Sequence, residues 1–187
     1  TTGCNGLHLG VHLVRSVAPE RLRHAATRLA ELAIDRRPDL VTAEFRKAMD
    51  ERSYVDSVFH PQIFTEQQIE EIPGYAEQFG IRSFKFYMSG IPGIVNSVTD
   101  DVLFAGFRQA ASIGADVVAC VHCETGALIA RARNELLARK REGTLADWED
   151  AHPAVAEALA IRTAAYLAKL AAVHLYVVHV SSRQGLE

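Results

Sequence analysis

The sequence predicts an α/β fold built on a parallel sheet. Three observations carry this. Strand-like and helix-like stretches alternate along the chain. Two strand-like stretches, Asp116 to Glu124 and Leu175 to Ser182, are largely apolar on both faces, as strands covered on both sides are. One lysine and two histidines, Lys85, His122 and His179, each sit toward the carboxyl end of a strand. Alternation of this kind implies right-handed βαβ units. In a (β/α)8 barrel, functional side chains gather at the carboxyl ends of the strands. The expected architecture is a partial barrel of this TIM-barrel type, with about five parallel strands, the second to the sixth, and their helices.

Residues 1–14 contain the earliest strand. His8 and His12 are four apart, the spacing of a helical metal pair, but Gly6 and Gly10 disfavour a helix there. Residues 19–33 place apolar side chains at helical intervals after Pro19, and a second helix is expected from Leu40 to Glu51. Val55 to Phe64 reads as the next strand, with His60 near its end as a structural or supporting residue. Thr65 and Gln68 form a capping box that opens a helix, which Pro73 divides and Gly80 ends. Ser83 to Met88 alternates. Phe84, Phe86 and Met88 face a covering layer, while Ser83, Lys85 and Tyr87 face the other way. An interior lysine is costly unless it is neutral, paired or chemically altered.

Asp100 and Asp101 open a helix that stops at Gly114. In the strand Asp116 to Glu124, Cys120 and Cys123 have CxxC spacing. A strand sends residues three apart to opposite faces, so both are expected to be small buried residues. Gly126 to Glu142 is a helix with Gly143 as its cap. Pro153 occupies the first position of another that runs to about Ala172. Leu175 to Ser182 is the last strand and carries His179.

Composition narrows the function. With 187 residues, 49% hydrophobic content and a net charge of -3, the chain is neither disordered nor a broadly basic nucleic-acid binder. No apolar run approaches the ~20 residues that cross a bilayer. Three cysteines, an odd number, argue for a reducing compartment, hence a cytoplasmic location.

The segments SFKFYMS, VVACVHCETGALI and LYVVHVSS resemble the fourth, fifth and sixth strands of the cyclic amidohydrolases. These are the hydantoinases, dihydropyrimidinases, allantoinases and dihydroorotases of the amidohydrolase superfamily. TTGCN is similar to that family's second strand and SYVDSVFHPQIF to its third. The resemblance implies a metal-dependent hydrolase that opens the ring of a cyclic amide or ureide with a metal-bridging hydroxide. It implies two divalent metal ions, zinc as a rule. Lys85, carboxylated by carbon dioxide, would bridge them as its carbamate, and His122 and His179 would hold one of them. A small cyclic amide is the implied partner, with a homotetramer as the implied assembly.

The resemblance also implies a His-x-His pair on the first strand and an Asp after the eighth. This chain contains neither, so no catalytic residue is assigned within it. Residues 1–187 are expected to be the central part of a barrel domain, inactive alone. The first strand, the last two strands and any small β-domain would lie outside it. The family's Lys-x-Phe-Met-x-Tyr pattern is altered here: Tyr87 replaces the Phe and Gly90 the final Tyr. The ring stays open, with an allantoinase or dihydroorotase type as alternatives. A non-catalytic scaffold is the other class, and a D-x-H-x-H upstream of Thr1 would separate the two.

Overall fold

A computed structural model describes residues 51–52, 60–90, 95–141 and 143–187. The chain divides into two compact units, residues 1–62 and 63–187. Expectations for residues 1–50, including the first strand, His8 and His12, lie outside the described residues. So do those for residues 53–59. Of the first unit, Glu51 and Arg52 are helical and His60 and Gln62 make isolated strand bridges.

The second unit opens with α1 (Glu66–Phe79). The capping box is present: Thr65 Oγ1 accepts from the Gln68 N–H at 3.2 Å, and Gln68 Oε1 accepts from the Thr65 N–H at 3.2 Å. Gly80 ends the helix with φ 66°, a left-handed conformation that glycine adopts without strain. The expected division at Pro73 is corrected, because α1 runs through it. Proline removes one helical hydrogen bond. Buried Ile69, Ile72, Tyr75 and Ala76 hold the turns on either side against the core.

Strand β1 (Ser83–Tyr87), helix α2 (Asp100–Ala111) and strand β2 (Val118–His122) follow. Helix α3 (Gly126–Ala138) ends earlier than expected. Lys140 takes φ 54° and the chain turns there, well before Gly143. A short 3-10 turn (Leu145–Asp147) and the one-turn helix α4 (Trp148–Ala151) come next, neither of them predicted. Helix α5 (Ala154–Ala171) starts with Pro153 as its cap, not as its first helical residue. Strand β3 (His174–Val177) is shorter than expected and stops before His179. A 3-10 turn (Arg183–Gly185) follows it.

The three strands form one parallel sheet in the order β1-β2-β3. Sequential parallel order with intervening helices is the pattern of a βα barrel wall. Three of the five expected strands are thus present among the described residues, and a barrel is not established by them.

Parallel register puts Ser83 beside Val118, Lys85 beside Cys120 and Tyr87 beside His122. The alternate residues, Phe84 and Phe86 on β1 and Ala119 and Val121 on β2, are fully buried. Phe86 meets Phe107 of α2 edge-on, with ring centroids 5.4 Å apart. Gly106 lets α2 approach, since a Cβ there would lie 2.5 Å from the Phe86 ring. Helix α5 buries a line of small residues, Ala156, Ala160, Ala164 and Ala168. The two sheet faces therefore have different roles. One is a packed core, and the other carries Lys85 and His122. No described helix is long and apolar enough to cross a membrane.

Candidate metal centre

Lys85 and His122 share a sheet face because their strands are parallel and in register. His179 reaches them by a different route. Cys120 pairs with Tyr176, so Val178 would fall beside His122 if β3 continued. His179 would then point to the opposite face. The strand stops at Val177, and the chain bends at Val178 while its N–H still donates to the Val121 carbonyl at 3.1 Å. Beyond that bend His179 turns back onto His122. The expectation that His179 lies within a strand is corrected, and the break in the strand is what brings the two imidazoles together.

His122 Nδ1 and His179 Nε2 face each other at 2.6 Å, with ring centroids 4.7 Å apart. The other nitrogen of each ring is turned toward a carboxylate. His122 Nε2 is 3.0 Å from Glu124 Oε2 and 3.0 Å from Ser89 Oγ, which also donates to Glu124 Oε2 at 3.3 Å. The hydrogen bond from His122 holds the Glu124 carboxyl below the ordinary glutamate value. His179 Nδ1 is 3.7 Å from Glu157 Oε1, an ion-pair distance too long for a direct hydrogen bond. Burial pushes the Glu157 carboxyl up, but hydrogen bonds from Ser182 and Ser181 outweigh it, and the net shift is downward.

Lys85 Nζ is buried and has no hydrogen-bond partner among the described residues. It lies 4.4 Å from the centroid of the Tyr87 ring, whose own centroid is 5.5 Å from that of His122. Burial lowers its pKa from 10.5 to about 8, partly opposed by Cys120 and Cys123. Burial also raises the Tyr87 hydroxyl and the Cys120 thiol, and takes the Cys123 thiol to about 12. Both cysteines are buried thiols, as expected for packing residues. Among the described residues no three His, Cys, Asp or Glu side chains gather as a set of metal ligands.

The lysine shift has a consequence for stability. Between pH 8 and 10.5 the unfolded chain holds a proton on Lys85 that the folded, metal-free chain has released. Stability contributed by this group therefore rises with pH across that window. Lys85→Met removes the buried ammonium. At pH 7 it is expected to stabilise the metal-free chain by about 1 kcal/mol, a figure reduced for the partial exposure of the side chain. The gain should shrink from pH 8 upward and be mostly gone by pH 10. Urea midpoints at the two pH values, without carbon dioxide, measure it.

Ser89, Glu124 and Glu157 were not singled out by the sequence reading. For Glu124, proximity to His122 was a usable signal. Glu157 lies in a helix of ordinary composition and carried none.

A three-stranded parallel βα unit defines the class: an α/β protein with a polar cluster, the candidate site, at the carboxyl end of its sheet. No protein-family model matches the chain. Over 116 residues it is 35% identical to an allantoinase of Escherichia coli O1:K1 / APEC, a match covering 59% of this chain and 25% of that protein. Among solved structures it is similar to the D-hydantoinase from a Bacillus sp. AR9, with 26% identity and a TM-score of 0.69. That match covers 79% of this chain and 32% of the other. It is also similar to the L-hydantoinase (dihydropyrimidinase) from Arthrobacter aurescens, with 29% identity and a TM-score of 0.61. Here 68% of this chain and 27% of the other are covered. These likenesses are to part of the allantoinases and hydantoinases, proteins of the cyclic amidohydrolase kind. The chain spans about a quarter of the length of the curated relatives it matches.

Proposed function

We propose that the chain is part of a metal-dependent enzyme that hydrolyses a ring amide bond of a cyclic amide or ureide. One observation carries the reading: two imidazoles aim ring nitrogens at one spot, on the sheet face that also carries a buried amine with no hydrogen-bond partner among the described residues. If His122 donates through Nε2 to Glu124, its Nδ1 presents a lone pair. That lone pair faces His179 Nε2 at 2.6 Å, a hydrogen-bond distance that a shared proton bridges; a cation held by both rings would take the proton's place and spread the nitrogens to about 3.3 Å. Histidines that bind metals turn their second nitrogen toward a carboxylate, as His122 does here.

The donor set fits a divalent metal, zinc being the natural choice for imidazole ligands. His122 and His179 would hold one ion. Lys85, as the carbamate formed when its free amine attacks carbon dioxide and releases a proton, would bridge it to a second. Part of the Lys85 population is the free amine near neutral pH, which that reaction requires. Bound metal would supply Lewis acidity to polarise the ring carbonyl and make a water acidic. The names of the relatives, allantoinase and hydantoinase, support a cyclic ureide as substrate.

Metal content tests the reading in the full-length protein purified with zinc and bicarbonate present. Two ions per chain are expected. Ring-opening of hydantoin, dihydrouracil or allantoin should be lost on chelation and return with zinc. A metal-free protein under those conditions overturns the reading and favours a non-catalytic scaffold.

A further inference from the structure

His122 is held by the sheet, whereas His179 sits past the end of β3 on a segment that nothing in the strand pairing fixes. The structure shows what fixes it. Glu157 occupies the first turn of α5 and is 5% exposed. Its Oε1 accepts from the Ser181 N–H at 2.8 Å and its Oε2 from the Ser182 N–H at 2.7 Å. One carboxylate thus takes two successive backbone amides, and the same Oε1 lies 3.7 Å from His179 Nδ1.

The segment beyond is closed onto this carboxylate. Ser182 Oγ accepts from the Gly185 N–H at 3.1 Å. A Cβ at Gly185 would come within 3.2 Å of Glu157 Oε2 and 3.0 Å of Ile161 Cδ1. A buried carboxylate is expensive unless its lone pairs are used, and here two charge-assisted bonds to main chain use them.

We propose that Glu157 is a positioning residue: it clamps the chain just after β3 and so aims His179 Nε2 at His122. The inference rests on the metal reading only for its purpose, since the clamp itself is a property of the metal-free chain. It makes the helix that precedes β3, not β3 itself, the element that sets the second imidazole. It also explains how a strand can end early without leaving its histidine loose.

The test uses Glu157→Gln in the full-length protein. Glutamine keeps the shape but supplies one acceptor where two are needed. Three readouts are followed: amide hydrogen exchange at Ser181 and Ser182, the imidazole nitrogen signals of His179, and affinity for cobalt(II). Exchange at one or both amides should quicken about five-fold, the loss of one hydrogen bond. The His179 ring signals should shift, and cobalt should bind about ten-fold more weakly, as when a residue supporting a ligand is removed. Glu187→Gln, on an exposed carboxylate paired with Arg183, should change none of the three.

If Glu157→Gln does not fold, Glu157→Asp serves, keeping the charge but too short to span both amides. Unchanged His179 ring signals in the folded variant overturn the clamp. If the parent protein binds no cobalt, the metal reading falls, and the ring signals and amide exchange still decide the clamp on their own.

Discussion

Replacing Lys85 with alanine is expected to abolish two-metal binding in the full-length protein and to take hydrolysis with it. Lys85 is the only described residue whose buried polar atom both lacks a partner and lies next to the paired imidazoles through Tyr87. A single imidazole pair holds a divalent ion weakly, and on the proposed reading the loss of a Lys85 carbamate would leave two cations to repel one another. Losses on the order of a thousand-fold in affinity, about 4 kcal/mol, are anticipated. Formate or acetate, small enough to enter the space vacated by the side chain, should restore part of the metal content. Emission spectroscopy with and without the added acid measures both effects. A Lys85→Ala protein that keeps two ions removes the lysine from the site.

Phe86→Ala should cost about 3–5 kcal/mol of stability, the usual range for emptying a fully buried aromatic position. Phe86 is 0% exposed and contacts Phe107 edge-on. The neighbouring glycine makes the prediction sharper. Gly106→Ala inside a helix would ordinarily stabilise by up to ~1 kcal/mol. Here the new methyl would sit 2.5 Å from the Phe86 ring, so the substitution should destabilise, by roughly 1–3 kcal/mol. In the Phe86→Ala background the methyl enters the space left by the ring, and Gly106→Ala should become neutral or stabilising. Urea unfolding of the four proteins gives the coupling energy, expected to exceed about 1 kcal/mol. Additive effects would mean that α2 does not pack on β1 as described.

Much of the second unit could be read from local rules. Thr65 and Gln68 mark a helix start by their own hydrogen bonds, and Gly80 marks its end by its own dihedral freedom. The alternation through Lys85 gave the two faces of β1 because a strand has only two. Features set by distant contacts were less legible. Pro73 stays inside α1 because buried neighbours hold the helix around it, which a propensity argument does not weigh. Val178, His179 and Val180 look like strand but are not, since backbone pairing stops at Val177 and the side chains of this apolar run give no sign of it. Ser89, Glu124 and Glu157 act through spacing in three dimensions. Glu157 in particular meets Ser181 and Ser182 across 24 and 25 residues of chain.

The early end of β3 gives the two imidazoles unequal footing. One rides on a hydrogen-bonded lattice that persists until the whole unit melts, while the other hangs from a tether secured by a single acidic side chain. Opening that tether requires far less free energy than global unfolding. Gentle warming should therefore blunt the site while the backbone spectrum still looks native, and cooling should return it.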